Sequence, residues 1–231
     1  FRFESKQGQT WIIETEAARR GSPVDTKIEV LDAAGNLVPR LLLQGVLDSY
    51  VTFRSVNSQE NDVRLFNWRE MSLDEYVYIS GDVARVFRLP QGPDSGFRFY
   101  NSANKRRGYF DTSPTAHALD EAAYVVEPHP VGTKLVNNGL PTFTLYYAND
   151  DDGLRKLGSD SRLLFTAPAD GDYLVRVSDV RGFGGDDYAY RLSIREPRPD
   201  FVVRLNAMSP KVTAGGGVPI GFDVDRQDGF D

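Results

Sequence analysis

Cysteine is absent from the 231 residues. Its absence excludes disulfides, thiolate metal sites and haem attachment through sulfur, but does not distinguish an oxidising compartment from a reducing one. Positive charge is also in deficit. With 27 Lys and Arg against 33 Asp and Glu, the net charge is −6, which leaves no broad cationic field for nucleic acid phosphates or anionic lipid. No nucleic acid partner is expected. No apolar run is long enough to span a bilayer, and no basic-then-apolar start resembles a signal peptide. The chain opens inside a strand-like run, "FRFESKQGQTWIIETE", so it reads as a processed piece whose address label lies elsewhere. Helical spacing is scarce: Ser72 with Glu75 in "MSLDEY" is the one start signal, sufficient for a short turn. The only histidines are His117 and His129.

What the chain has in quantity is alternation. At 40% hydrophobic and 26% charged, it can bury one large core or two smaller ones. Tyr173, Val175 and Val177 alternate with Leu174, Arg176 and Ser178. After "DVRGFGGDD", Tyr188, Tyr190, Leu192 and Ile194 continue the apolar set, which predicts a β-hairpin. "TWIIETEA" and "DTKIEVLD" read as strands, the second with Ile28 and Val30 inward and "DAAGN" as its turn. Between Gln44 and Leu140, "SYVTFRSV", "VARVFRL", "GFRFY" and "AAYVVEP" are strands separated by turns such as "PQGPDSG" and "NNGLP". Beyond Pro197, "PRPDF" is a linker. It leads into what reads as the opening strands of a further β-domain, whose free edges would need a partner.

Two separated stretches resemble the bacterial pre-peptidase C-terminal domain. "KQGQTWIIETEAARRGSPVDTKIEVLDAAGN" is similar to its first half, and "YYANDDDGLRKLGSDSRLLFTAPADGDYLVRVSDVRGFGGDDYAYRLSI" to its second. The resemblance spans roughly residues 1–43 and 143–196, and the material between, 44–142, reads as an inserted β-domain. Residues 197–231 form the linker and incomplete domain. The insertion and tail resemble parts of large exported proteins of the planctomycete type. The expected fold is therefore all-β: a jelly-roll-like β-sandwich, interrupted by a second β-domain and followed by the start of a third. The resemblance implies export to the cell surface, exterior or periplasm, no catalysis, and calcium binding in some members.

The acidic loop from Asp150 poses the sharpest question: catalyst, metal site or solvated turn. Clustered carboxylates suit a hard cation, which also relieves their mutual repulsion. The spacing is not an EF-hand, since Gly153 at the glycine position would place Ala148 first and Ser159 last. The candidate calcium ligands are Asp150, Asp152 and Asp160, with Asp25 of "SPVD" joining if the sandwich brings it near. A wet loop remains the alternative.

His117 lies near Asp111, Ser113 and Asp120, the residue types of a nucleophilic hydrolase, but no G-x-S-x-G elbow is present. The glycines of "RGFGGDD" precede a strand rather than a helix, so they fit a turn better than a phosphate cradle. Lys105, Arg106 and Arg107 in "NKRRGY" suit either an acidic polymer or a charged hairpin tip. Trp68, Tyr100 and Tyr109 could join them in a glycan groove, whereas Phe97 and Phe99 suit a core. The expected function is that of a noncatalytic accessory module whose partners are neighbouring domains of the same polypeptide, an extracellular polysaccharide or a protein. A carbohydrate-binding module and a hydrolase centred on His117 are the alternatives.

Overall fold

Residues that alternate between apolar and polar send successive side chains to opposite sheet faces. The computed structural model describes residues 1–92, 94–102, 104–206 and 209–228, and its regular secondary structure is almost all strand. Pro93 of the "PQGPDSG" turn and residues 207, 208 and 229–231 of the tail lie outside the described residues. The first strands are β1 (Arg2–Ser5), β2 (Thr10–Glu16), β3 (Thr26–Asp32), β4 (Pro39–Tyr50), β5 (Asp62–Val63) and β6 (Tyr76–Ile79). They are followed by β7 (Asp82–Arg88), β8 (Phe97–Phe99), β9 (Asn101–Ser102), β10 (Lys105–Arg106), β11 (Ala122–His129) and β12 (Thr142–Tyr146). The last are β13 (Ala148–Asn149), β14 (Arg162–Thr166), β15 (Gly171–Asp179), β16 (Arg191–Arg195), β17 (Asp200–Leu205) and β18 (Phe222–Gln227). Ala18–Arg20 form one 3-10 turn. Ser72 and Glu75 close a hydrogen-bonded turn without starting a helix. Among the described residues no helix is long and apolar enough to cross a membrane.

The sandwich joins the two ends of the described chain's first 196 residues. One sheet runs β1-β15-β3-β13 and the other β14-β2-β16. Ile13 from β2, Ile28 and Val30 from β3, Leu163 and Phe165 from β14, and Tyr173 and Val175 from β15 share one core. Thus "TWIIETEA" and "DYLVRV" do enclose a common interior. Burying each such side chain stabilises the fold by about 1.5–3 kcal/mol.

The expected hairpin between β15 and β16 does not form. β15 pairs with β3 and β1, whereas β16 crosses to the opposite sheet and pairs with β2. Alternation identifies the buried face but not the neighbouring strand. The intervening glycine-rich stretch is longer than a tight hairpin needs, with Gly182 at φ 75° and Gly185 at φ 158°.

The segment between β3 and β13 forms a seven-stranded sheet, β12-β4-β11-β6-β7-β8-β5, with β9 and β10 paired beside it. Period two distributes its side chains to two cores. Val77, Ala84, Ala123 and Val125 enter one with Phe97 and Phe99, while Val83 and Val126 enter the other with Leu43 and Leu145. β4 begins at Pro39 and passes Gln44 unbroken; β12 pairs with it through Tyr146. The chain leaves and re-enters the sandwich at one place, where Val38 N donates to Val30 O (3.0 Å) and Tyr147 N to Val38 O (3.0 Å).

β17 and β18 form an antiparallel ribbon whose register sets Val203 against Val224 and Leu205 against Phe222. These four apolar side chains are exposed. On the ribbon's other face Asp225 pairs with Lys156, and just beyond β18 Asp228 pairs with Arg162 and Arg195.

Candidate functional site

The acidic loop is organised by its own carboxylates. Asp152 is buried and accepts from the amides of Leu154 (3.1 Å) and Lys156 (2.9 Å), the local bonding that makes Asp a turn residue. Asp160 is fully buried. Its Oδ1 accepts from Ala17 N and Ala18 N, both at 2.8 Å, and its Oδ2 from Arg19 N (3.2 Å) and Arg19 Nε (2.6 Å). Burial pushes its pKa up, but the Arg19 guanidinium and the three amides outweigh that and hold it below the usual carboxylate range. Beside it, the Thr15 and Thr26 hydroxyls lie 2.6 Å apart and both accept from Ser161 N.

This arrangement divides the expected calcium set. The oxygens of Asp152 and Asp160 already accept from protein donors, with which a cation would have to compete. Among the described residues the carboxylates of Asp25 and Asp150 have no hydrogen-bond partner, and with Asp151 they form a repelling group. Burial, then Asp150, raises Asp151 to about 6, against a weak pull from Arg155 and with further pushes from Asp25 and Asp152. Burial also raises Asp25, and Asp150 and Asp179 add to the rise against the opposing charge of Arg181. Among the described residues no three His, Asp or Glu side chains converge closely enough to hold a metal ion.

What the loop does contact is residues 108–113, the connection between β10 and β11. Ser113 Oγ binds Asn149 Oδ1 and accepts from Asp151 N at 3.0 Å. Gly108 N donates to Gly153 O (2.9 Å). Both glycines permit this approach: a Cβ on Gly108 would lie 1.9 Å from Thr112 O, and one on Gly153 would lie 3.1 Å from the same oxygen. Asp111 completes the junction by pairing with Arg40 and accepting from Leu164 N (3.0 Å).

His117 does not assemble a triad. It is buried, with Nε2 3.2 Å from Asp82 Oδ2 and Nδ1 3.3 Å from Glu121 Oε1. Ser113 and Asp111 are held at the junction instead. Asp82 also receives Arg106 through Nε (3.1 Å) and Nη2 (2.9 Å), and Arg106 donates to Asn57 O, Glu60 O and Thr115 O. Arg106 is 1% exposed. It therefore corrects the expectation of a basic tip able to touch a polymer, because the central cation of "NKRRGY" is an internal strut. Asp82 was not legible as its partner, since 24 residues separate them.

The expected glycan set is split between two clefts. Arg107 and Tyr109 line one of about 580 Å³, bounded by the acidic loop, β14 and β18. Tyr109 is half-buried with Arg107 stacked 4.8 Å from its ring centre. Trp68 lines the other, of about 470 Å³. Tyr100 donates to Asp74 (2.9 Å), and Lys105 sits in the short β9–β10 pair. Phe97 and Phe99 are buried, as core residues. No protein-family model, curated protein or solved structure matches the chain.

Proposed function

We propose that the chain is a noncatalytic interaction module of a larger, exported protein. The observation that carries this reading is the engagement of its reactive side chains. His117, Asp82, Asp152 and Asp160 are buried and hydrogen-bonded within the fold, and Ser113 is bound to Asn149 and to the amide of Asp151. Such sites hold segments together and leave no nucleophile beside a base. The likeness of the flanking halves to pre-peptidase C-terminal domains supports export and an accessory role. The apolar face carried by Val203, Leu205, Phe222 and Val224 supports neighbouring β-structure as a partner.

The acidic loop serves this module as a clasp. It joins the sandwich to residues 108–113, between β10 and β11, through Ser113, Gly108 and Asp111. The reading is tested by assaying the purified chain against esterase, peptidase and glycosidase substrates. No turnover is expected, and activity that co-purifies with the chain and falls on His117→Asn would overturn it. Carbohydrate binding is the second reading, favoured by the exposed rings of Phe53 and Phe66, the latter lining one cleft with Trp68.

A further inference from the structure

Just past β4 the backbone is clamped by a bridge between Val51 and Leu65. Thr52 N donates to Arg64 O (2.9 Å) and Phe66 N to Tyr50 O (3.1 Å). Val51 and Leu65 are buried, so alternation turns Tyr50, Thr52, Arg64 and Phe66 outward. Tyr50 and Phe66 stack across the bridge, with centroids 4.8 Å apart and planes 15° from parallel. "SYVTFRSV" reads as one continuous strand, but it breaks at Phe53, whose φ is 70°. That conformation is strained for a bulky side chain. It leaves the ring 70% exposed, with the Arg64 guanidinium 4.2 Å from its centre. Phe66 is 57% exposed. The following turn brings Trp68, with Arg69 4.9 Å from its ring centre, to the adjoining cleft.

Arg54, Arg64 and Arg69 have no carboxylate partner among the described residues, in a chain whose acids outnumber its bases. The exposed rings of Phe53 and Phe66 with the unmatched guanidinium groups of Arg64 and Arg69 around this cleft fit a ligand that offers flat apolar surfaces and negative charge alternately. We propose that this face binds an acidic polysaccharide of uronate-type sugars. The C–H faces of the pyranose rings lie on Phe53 and Phe66, and the carboxylates meet Arg64 and Arg69, whose planar donors match a carboxylate in pairs. A neutral glycan would leave the arginines unused. The proposal rests on the noncatalytic reading: Glu70 is the single acid among the described residues lining the cleft, whereas glycoside hydrolysis ordinarily needs two carboxyl groups.

The test is calorimetric titration of the chain with oligogalacturonate and oligoalginate, with a cello-oligosaccharide of equal length as the neutral control. Saturable binding of the uronates, weakened by salt and absent for the neutral sugar, is expected. Phe53→Ala and Arg64→Met should each lower affinity about tenfold with Tm unchanged, since both side chains lie outside the core. Absence of uronate binding, equal binding of the neutral sugar, or wild-type affinity in both variants would overturn the proposal while leaving the noncatalytic reading intact. Shortening of the oligosaccharide during the titration would instead overturn the noncatalytic reading.

Discussion

Asp160 in the sandwich and Asp82 in the seven-stranded sheet are both carboxylates removed from water, and they are held by opposite means. Asp160 sits in a cradle of consecutive amides at residues 17–19, closed by a half-exposed Arg19, and both of its oxygens are occupied. Asp82 faces two equally buried side chains, Arg106 and His117, and among the described residues its Oδ1 has no partner. The first arrangement satisfies the charge with backbone that is rigid once the turn forms. The second depends on a distant cation whose removal strands the charge. A burial percentage alone does not separate the two; the identity of the donors does.

The comparison breaks most sharply at Arg106. Arg106→Met should destabilise by about 4 kcal/mol in chemical denaturation, because it leaves Asp82 buried and uncompensated and frees three loop carbonyls. The double variant Asp82→Leu with Arg106→Met should recover much of that loss. A double variant as unstable as the single one would show that Arg106 acts through the loop carbonyls rather than the ion pair. Asp160→Ala should cost about 3 kcal/mol by orphaning buried amides. Asp160→Asn should cost less, since its carbonyl still accepts from part of the cradle. If the two variants lose equal stability, the amide cradle is not what Asp160 contributes.

A smaller effect of opposite sign belongs to Asp151. Its folded pKa, near 6, lies above the unfolded value. The folded state therefore keeps this proton longer, and stability falls as pH rises from about 4 to about 6. Asp151→Asn should raise stability at pH 7.5 by about 1 kcal/mol, a figure reduced for the solvent that reaches the group, and by nothing at pH 4. A gain independent of pH would assign the effect to something other than charge. Smallest of all, millimolar calcium should leave Tm unmoved, as expected for carboxylates occupied by amides and Arg19; a rise of several degrees would restore a cation to the loop.

Much of the fold was legible because alternation is a local signal. Spacing places Ile28 with Val30 and Tyr173 with Val175 in a core, the usual burial of Phe adds Phe97 with Phe99, and all are buried. Strand partners were not, as the parting of β15 from β16 shows, because pairing is decided by the path of the connection. The candidate site was less legible. Asp160 meets residues 17–19 from more than a hundred positions away, and no spacing rule links Arg106 to Asp82. The platform at Phe53 was hidden for a different reason: a left-handed backbone interrupts the period that marked "SYVTFRSV" as a strand. A bulky residue gives no signal of such a break, as glycine would have done.

Because Val38 and Tyr147 are hydrogen-bonded neighbours, the segment between them starts and ends at one stitch, which the contacts of residues 108–113 reinforce. Closing a connection costs entropy that rises only slowly with its length, so the sandwich can host a long excursion there at little more expense than a short one. A tight turn spliced across that stitch would release the sandwich as a smaller protein, and the same two positions would accept an unrelated β-unit in its place.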